Sequence, residues 1–329
     1  MTLNPTDLAL IDRWQRDFPL VERPFAEAGR DFGFDEAAAL ATFRRLRDAG
    51  VISRIGAVVR PHSVGASTLA AMRVPDARLE EVAAIVSRQP AVNHNYQRTH
   101  SFNLWFVVAG PDSETVSATI RRIEDECGLA VLDLPLLHAY HVDLGFSLRG
   151  GTVKDGTPPP AQLAYRTDSF DRSLLGAIEE GLPIVSRPYD DIADRLGVDA
   201  DDVRGRLRQL ADAGIIGRFG CVVNHRALGY RANAMAVWDI ADDSVDAVGQ
   251  RLRRHPKVSL CYRRPRRPPE WPYNLFCMVH AKRQDEALEV VDELNRTLEA
   301  TARGGAVLFS TRCFKQRGAT FSRPSGGVH

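Results

Sequence analysis

LRDAGVISRIGAVVRPHSVG, residues 46–65, and LADAGIIGRFGCVVNHRALG, residues 210–229, align without a gap at a constant offset of 164 positions, 210 minus 46. Agreement of that length inside one chain marks an internal duplication. Two later segments continue it. PAVNHNYQR at 90–98 answers PKVSLCYRR at 256–264, and NLWFV at 103–107 answers NLFCM at 274–278. Two homologous copies share one polypeptide, so the positions at which they differ mark where their roles diverge.

Working outward from the second copy, YDDIADRL at 189–196 has helical apolar spacing, and Gly197 stops it. Asp199 offers an N-cap for a second helix through Val203, Leu207 and Leu210, closed by Gly214. Residues 215–223 are β-branched and punctuated by glycine, as a short hairpin is, and helix, turn, helix and wing together predict a winged helix-turn-helix. The first copy repeats the pattern more loosely from Phe34 to Val59. Beyond the wing it reads strand (67–74), helix (77–89), strand (92–98), strand (104–109), helix (113–127) and strand (131–142), and the second copy gives the same order from 232 to 314. A βαββαβ succession predicts a ferredoxin-like sandwich. The expected fold class is α+β, a tandem duplication in which each copy is a winged helix-turn-helix followed by a ferredoxin-like module. The expected bounds are about 1–149, with the winged helix to 65 and the second module at 66–146, and about 169–329, with the winged helix to 229 and the second module at 230–318. The glycine- and proline-rich stretch 150–168 reads as the linker between them.

At 329 residues and 44% hydrophobic content the chain can bury two ordinary cores, and its net charge of +1 argues against a protein that coats nucleic acid. The five cysteines, Cys127, Cys221, Cys261, Cys277 and Cys313, are scattered and form no C-x-x-C pair, so neither a disulfide framework nor a zinc site is expected. A reducing cytoplasm is the expected compartment. The opening MTLNPTDLALIDRW has no basic start followed by an apolar core, and no apolar run reaches the roughly 18 residues of a membrane span, so no membrane association is expected.

The winged helix, the following module and the phrase DAGxIxRxGxVV resemble the Lrp/AsnC transcription regulators, which implies a ligand-responsive DNA-binding protein. A recognition helix, however, brings its first turn against phosphates and base edges. Here the second copy opens that helix with Asp199, Asp201 and Asp202, and the first opens it with Asp35 and Glu36. Carboxylates stabilise a helix start and repel a polyanion, so no DNA partner is expected and the winged helices read as scaffold.

Chemistry is expected on the ferredoxin-like modules. In the first copy, if residues 92–98 form a strand, His94, Tyr96 and Arg98 share one face by the two-residue period, with His100 and Trp105 close behind. Tyr96 aligns with Tyr262 and Arg98 with Arg264, whereas His94 aligns with Leu260, which implies an asymmetric pair of sites. The second copy places Arg263, Arg264, Arg266 and Arg267 within five residues of a proline-rich loop that runs on to Trp271 and Asn274. Such an array suits a compact ligand with several carboxylates. His280 closes the strand beginning at Asn274 and is a weaker candidate. His62, His138, His141, His225 and His255 read as ordinary strand-end or turn imidazoles.

NHNYQR then NLWF in one copy, with CYRR, YNLFCMVH and LFSTRCFK in the other, is a set similar to the siroheme decarboxylases, in their fused NirD–NirL form of d1-type heme biosynthesis. The resemblance covers most of the chain apart from the linker and tails. It implies loss of CO2 from two acetate side chains of siroheme to give didecarboxysiroheme, with no added cofactor and no metal held by the protein, the iron belonging to the substrate. It also implies relatives in which the halves are separate subunits, and association with NirG- and NirH-like proteins. Siroheme is a flat apolar ring rimmed by carboxylates. Arg98, Arg263, Arg264, Arg266 and Arg267 are then its expected anchors, with Asn274 and His280 among the binding residues, and Trp105, Trp271 and Phe276 its apolar wall. His94 and His100 are the first candidates for proton donor, because an ordinary imidazole titrates at about 6.5, with Tyr96 and Tyr262 able to relay. The two copies are expected to pair as an internal pseudo-dimer about a pseudo-twofold axis, with further association possible.

Overall fold

The computed structural model describes residues 3–60, 63–142, 165–298 and 301–318, so His62 and most of the expected linker lie outside the described residues. In chain order the first copy forms α1 (Pro5–Trp14), α2 (Pro24–Arg30), α3 (Glu36–Asp48), β1 (Ile52–Val59), β2 (Ala66–Met72), α4 (Leu79–Arg88), β3 (Val92–Arg98), β4 (Leu104–Gly110), α5 (Ser113–Cys127), β5 (Leu132–Pro135) and β6 (His138–Val142). The second forms α6 (Ser169–Ala177), α7 (Pro188–Leu196), α8 (Ala200–Asp212), β7 (Ile216–Val223), β8 (Ala232–Ile240), α9 (Val245–Leu252), β9 (Val258–Arg263), β10 (Leu275–Ala281), α10 (Gln284–Leu298) and β11 (Ala302–Gln316). Spatially the copies are redistributed. One unit gathers Met1–Val64 with Gly145–Leu228, and the other gathers Gly65–Leu144 with Gly229–His329, so helical part joins helical part and sheet joins sheet.

In the helical unit the duplication is visible down to the caps. Asn4 and Asp7 form a capping box at α1, and Asp168 and Asp171 form its counterpart at α6. Asp35 accepts the Ala38 amide at the start of α3. At α8 the first-turn carboxylate of Asp201 pairs with Arg204 on the same helix. The wing differs from expectation. Neither copy folds a hairpin; each contributes a single strand, β1 or β7, and the two pair antiparallel with each other. Neither segment contains a two-residue turn that would reverse it, so each edge is satisfied by its homologue. The register sets Gly56 opposite Gly220, Ile55 opposite Cys221 and Ala57 opposite Phe219. Gly56 and Gly220 are equivalent positions, so the pairing maps onto itself and a local twofold runs between them. Equivalent backbone bonds flank it: Phe18 N–H donates to Phe219 O at 3.0 Å, and Leu182 N–H to Ile55 O at 2.7 Å.

The other unit carries a nine-stranded antiparallel sheet in the order β5-β2-β4-β3-β11-β8-β10-β9-β6. The long β11 pairs first with β8 of its own copy and then, past Phe309, with β3 of the first. In the first copy the same path is broken into β5, which pairs with β2, and β6, which pairs with β9 of the second copy. Cross-strand bonding thus knits the copies together at two equivalent places. Outward faces pack on helices: Val82, Val86, Phe106 and Ile123 around α4 and α5, and Val248, Leu252, Val290 and Leu294 around α9 and α10. Inward faces of both copies meet in a third core that contains Trp105, Leu134, Met235, Trp271, Phe276 and Leu308. Adjacent Trp105 and Phe106 on β4 point to different cores, as strand alternation requires. Among the described residues no helix is long and apolar enough to cross a membrane.

A Cβ added at Gly220 would lie 2.5 Å from the carbonyl oxygens of Trp14 and Gln15, which are backbone atoms at the end of α1, whereas Gly205 on the exposed face of α8 has open space around it. We therefore expect Gly220→Ala to lower stability by roughly 1–3 kcal/mol through overpacking. Gly205→Ala should raise it by roughly 0.5–1 kcal/mol by restricting the unfolded chain. Denaturant melts of the two variants against wild type check both signs.

Candidate functional site

The homologous strands β3 and β9 carry equivalent tyrosine–arginine pairs on the inward face, Tyr96 and Arg98 at the end of β3 and Tyr262 with Arg264 just past the end of β9. On β3, His94 stacks on Tyr96 with ring centroids 6.0 Å apart, and the Arg98 guanidinium lies 5.9 Å from the Tyr96 ring. His94, Tyr96 and Arg98 therefore share one face, while Asn95 points the other way to bond Ala83 O on α4. On the second copy Arg264 lies 5.2 Å from the Tyr262 ring. The arginines reach equivalent acceptors: Arg98 Nη1 donates to Leu308 O at 3.1 Å and Arg264 Nη1 to Leu134 O at 2.5 Å. Both side chains are buried, and among the described residues neither forms an ion pair with a carboxylate. Burial drags each guanidinium down to about 10, against the opposing pull of Tyr96 on Arg98 and of Tyr262 and Asp133 on Arg264. Burial also pushes the Tyr262 phenol well up and depresses His94 from 6.5 to about 4, so in the free protein His94 is neutral at ordinary pH.

The arginine loop between β9 and β10 divides into two kinds of cation. Arg263 is tied to Asp242 and Asp246, and Arg266 to Asp239 and Asp242, so these two expected anchors are compensated by the protein's own carboxylates. Arg267 is exposed and its backbone pairs with that of Trp271 to close the loop. Asn274 also differs from expectation. Its Oδ1 accepts the Ile240 amide and its Nδ2 donates to Ile240 O, both at 2.9 Å, and Asn103 makes the same clamp on Val74. An amide whose two ends are spent on the main chain is a structural clamp, which is why Asn recurs at both positions.

From Arg264 to Asn274 the loop is five residues longer than from Arg98 to Asn103, ten positions against five. The extra length carries Trp271 into the inward core, against His100 at 5.5 Å, Phe102 at 5.9 Å, Trp105 at 5.1 Å and Phe276 at 6.0 Å. The three expected wall residues, Trp105, Trp271 and Phe276, are thus one buried cluster. Trp105 donates its indole N–H to Phe102 O at 2.7 Å, but Trp271 Nε1 and Arg264 Nε are buried donors without an acceptor among the described residues. His100 Nδ1 accepts the Phe102 amide at 3.0 Å, and burial together with the nearby Arg73 charge lowers its pKa.

Two residues of the site went unread in the sequence. Asn233 on β8 and Ser259 on β9 both contact His280, with Asn233 Nδ2 at 3.2 Å from Nε2 and Ser259 Oγ at 2.9 Å from Nδ1, and Asn233 Oδ1 is 3.5 Å from Arg98 Nη2. The signal was present, since Asn233 interrupts an otherwise apolar strand, ANAMAVW. Chemically, the inward face holds, among the described residues, buried cations without an ion-paired carboxylate, buried donors without acceptors, packed aromatic rings and a neutral imidazole. Buried cations, free donors and an imidazole beside aromatic rings are the chemistry that a large apolar anion would require of its receptor.

Residues 7–52 and 171–216 match the siroheme decarboxylase NirDL-like HTH domain, and residues 63–141 and 227–315 match the AsnC-like ligand-binding domain. A siroheme decarboxylase NirDL subunit of Paracoccus denitrificans is 46% identical over 98% of this chain and 99% of its own length. A NirD subunit of Stutzerimonas stutzeri, 46% identical, covers 45% of this chain with 97% of its own. A crystal structure of the siroheme decarboxylase NirDL in co-complex with an iron-uroporphyrin III analogue superposes with a TM-score of 0.69 at 28% identity, covering 96% of this chain and 93% of that one. The duplicated helical and AsnC-like parts, the paired tyrosine–arginine strands and these full-length matches agree: the chain belongs to the siroheme decarboxylase family, in its fused NirDL form.

Proposed function

We propose that this chain removes CO2 from two acetate side chains of siroheme, giving didecarboxysiroheme without an added cofactor. The observation that carries the reading is the pair of buried guanidiniums, Arg98 and Arg264, neither of which forms an ion pair with a carboxylate among the described residues, Asp133 acting on Arg264 only through its charge. Holding a buried cation unpaired costs several kcal/mol, a cost that folding alone gives no reason to bear twice at equivalent positions. A tetrapyrrole rimmed with carboxylates supplies negative charge, and its oxygens suit the N–H groups of Arg264 and Trp271 that have no acceptor among the described residues. The acidic starts of α3 and α8 weigh against the regulator reading.

In each step the bond between the methylene carbon and the carboxylate carbon breaks, its electron pair stays on the methylene carbon and is drawn into the ring, and CO2 departs. One proton delivered to that carbon completes the methyl group. Arg98 and Arg264 hold carboxylates that stay, so the reacting acetate is oriented in surroundings from which aromatic side chains exclude water. His94 is our proton donor. It is neutral in the free protein because burial disfavours its charge, and carboxylates arriving beside it favour the imidazolium, so binding draws in the proton that the reaction then uses. Its counterpart in the second copy is Leu260, so the two equivalent tyrosine–arginine sites are chemically unequal. Association with NirG- and NirH-like proteins belongs to the same proposal and is checked by co-purification.

Anaerobic incubation of the purified protein with siroheme should yield two successive losses of the mass of CO2. Unchanged siroheme with folded protein, or tight salt-sensitive binding to promoter DNA in its place, contradicts the proposal. His94→Ala should slow turnover by roughly a hundredfold or more while leaving substrate affinity largely intact. Arg264→Gln should weaken affinity by roughly ten- to a hundredfold, as loss of a charged hydrogen bond does. The opposite pattern would exchange the roles of acid and anchor. Because the folded pKa of His94 lies below its ordinary 6.5, its contribution to stability is complete above pH 6.5 and declines as pH falls towards 4. His94→Gln should therefore flatten the stability loss between those values, on the order of 1–3 kcal/mol, in melts at stepped pH.

A further inference from the structure

We propose that Asn233 and Ser259 are positioning residues that lock Arg98 in place and hold His280 as a neutral imidazole with its proton on Nδ1. The inference rests on the reading of Arg98 as a carboxylate anchor, and its geometry follows from donor and acceptor chemistry alone. A guanidinium only donates, so the Asn233 amide must turn its oxygen towards Arg98 Nη2 at 3.5 Å. Its nitrogen then faces His280 Nε2 at 3.2 Å. Since that nitrogen only donates, Nε2 must present a lone pair, and a neutral ring carries its proton on Nδ1. Nδ1–H points to Ser259 Oγ at 2.9 Å, and the single Ser259 hydroxyl proton goes on to Met278 O at 3.1 Å. Every donor in the row therefore points away from Arg98, and protonating His280 on Nε2 would set N–H against N–H.

The row joins the copies. Arg98 lies at the end of β3, while Asn233, Ser259 and His280 come from β8, β9 and β10 of the second copy. The strand registers make Ser67, Asn93 and Ala109 their counterparts around Arg264. None of these three is an imidazole, and Arg264 Nε has no acceptor among the described residues. Two arginines that align in sequence are thus supported differently, Arg98 by a relay and Arg264, among the described residues, by the Leu134 carbonyl and the nearby charge of Asp133.

Nitrogen-15 spectra of the histidine side chains in the ligand-free full chain test the tautomer without substrate. The wild type should show His280 protonated on Nδ1, and Asn233→Ala and Ser259→Ala should each shift it towards the Nε2–H form. With siroheme, Asn233→Ala should raise KM by roughly tenfold and leave kcat within about twofold, the mark of a displaced anchor. His280 protonated on Nε2 in the wild type overturns the inference, as does an unchanged KM in folded Asn233→Ala. Absence of any siroheme turnover by the wild type overturns the reading of the site itself, and with it the role of Asn233 towards substrate, even if the tautomer is as described.

Discussion

Antiparallel hydrogen bonding between the two copies is the constraint on which the rest of the molecule depends. Each ferredoxin-like module ends in a strand path that is only half satisfied within its own copy, and the remaining half finds its partner on the homologue, β11 on β3 and β6 on β9. The same exchange occurs between β1 and β7 in the helical unit. An unpaired strand edge is a liability in any sheet, and duplication supplies a partner of matching register within the same chain. Pairing by homologous strands also brings the inward faces of both copies together, and so places the tyrosine–arginine ends of β3 and β9 in equivalent surroundings.

Equivalent surroundings then make differences meaningful. Duplication by itself would give two like sites. Substitution at a few positions separates them: His94 against Leu260, His280 against Ala109, and the five-residue extension that delivers Trp271 to the aromatic cluster. The electrostatic pattern is equally selective. Arg263 and Arg266 are matched by Asp239, Asp242 and Asp246, while Arg98 and Arg264 form no ion pair with a carboxylate among the described residues, Asp133 reaching Arg264 only through its charge. Compensated and uncompensated guanidiniums lie one residue apart at Arg263 and Arg264, and only the second has the character of a receptor for an incoming anion.

Much of this was legible in the residues. The helix-turn-helix elements followed from apolar spacing and from glycines at 197 and 214 that adopt positive φ, and the ferredoxin-like order followed from the alternation of strand and helix signals. The face shared by His94, Tyr96 and Arg98 followed from the two-residue period. What the sequence concealed depends on pairing between distant segments. A single edge strand and half of a hairpin have the same local composition, so residues 215–223 do not disclose that their partner is β1. Arginines in a proline-rich loop look alike until the aspartates of the β8–α9 segment are folded against two of them. Asn274 read as a ligand residue because nothing local reveals that both ends of its amide are committed to Ile240.

The central claim, that buried guanidiniums at the ends of two homologous strands receive a tetrapyrrole, is tested most directly by a crystal structure of this chain with siroheme bound. The account predicts substrate carboxylate oxygens within hydrogen-bonding distance of Arg98 and Arg264, with His94 facing an acetate side chain. A tetrapyrrole lying elsewhere, with Arg98 still bonded to Leu308 O and Asn233 Oδ1 and Arg264 to Leu134 O, would contradict it.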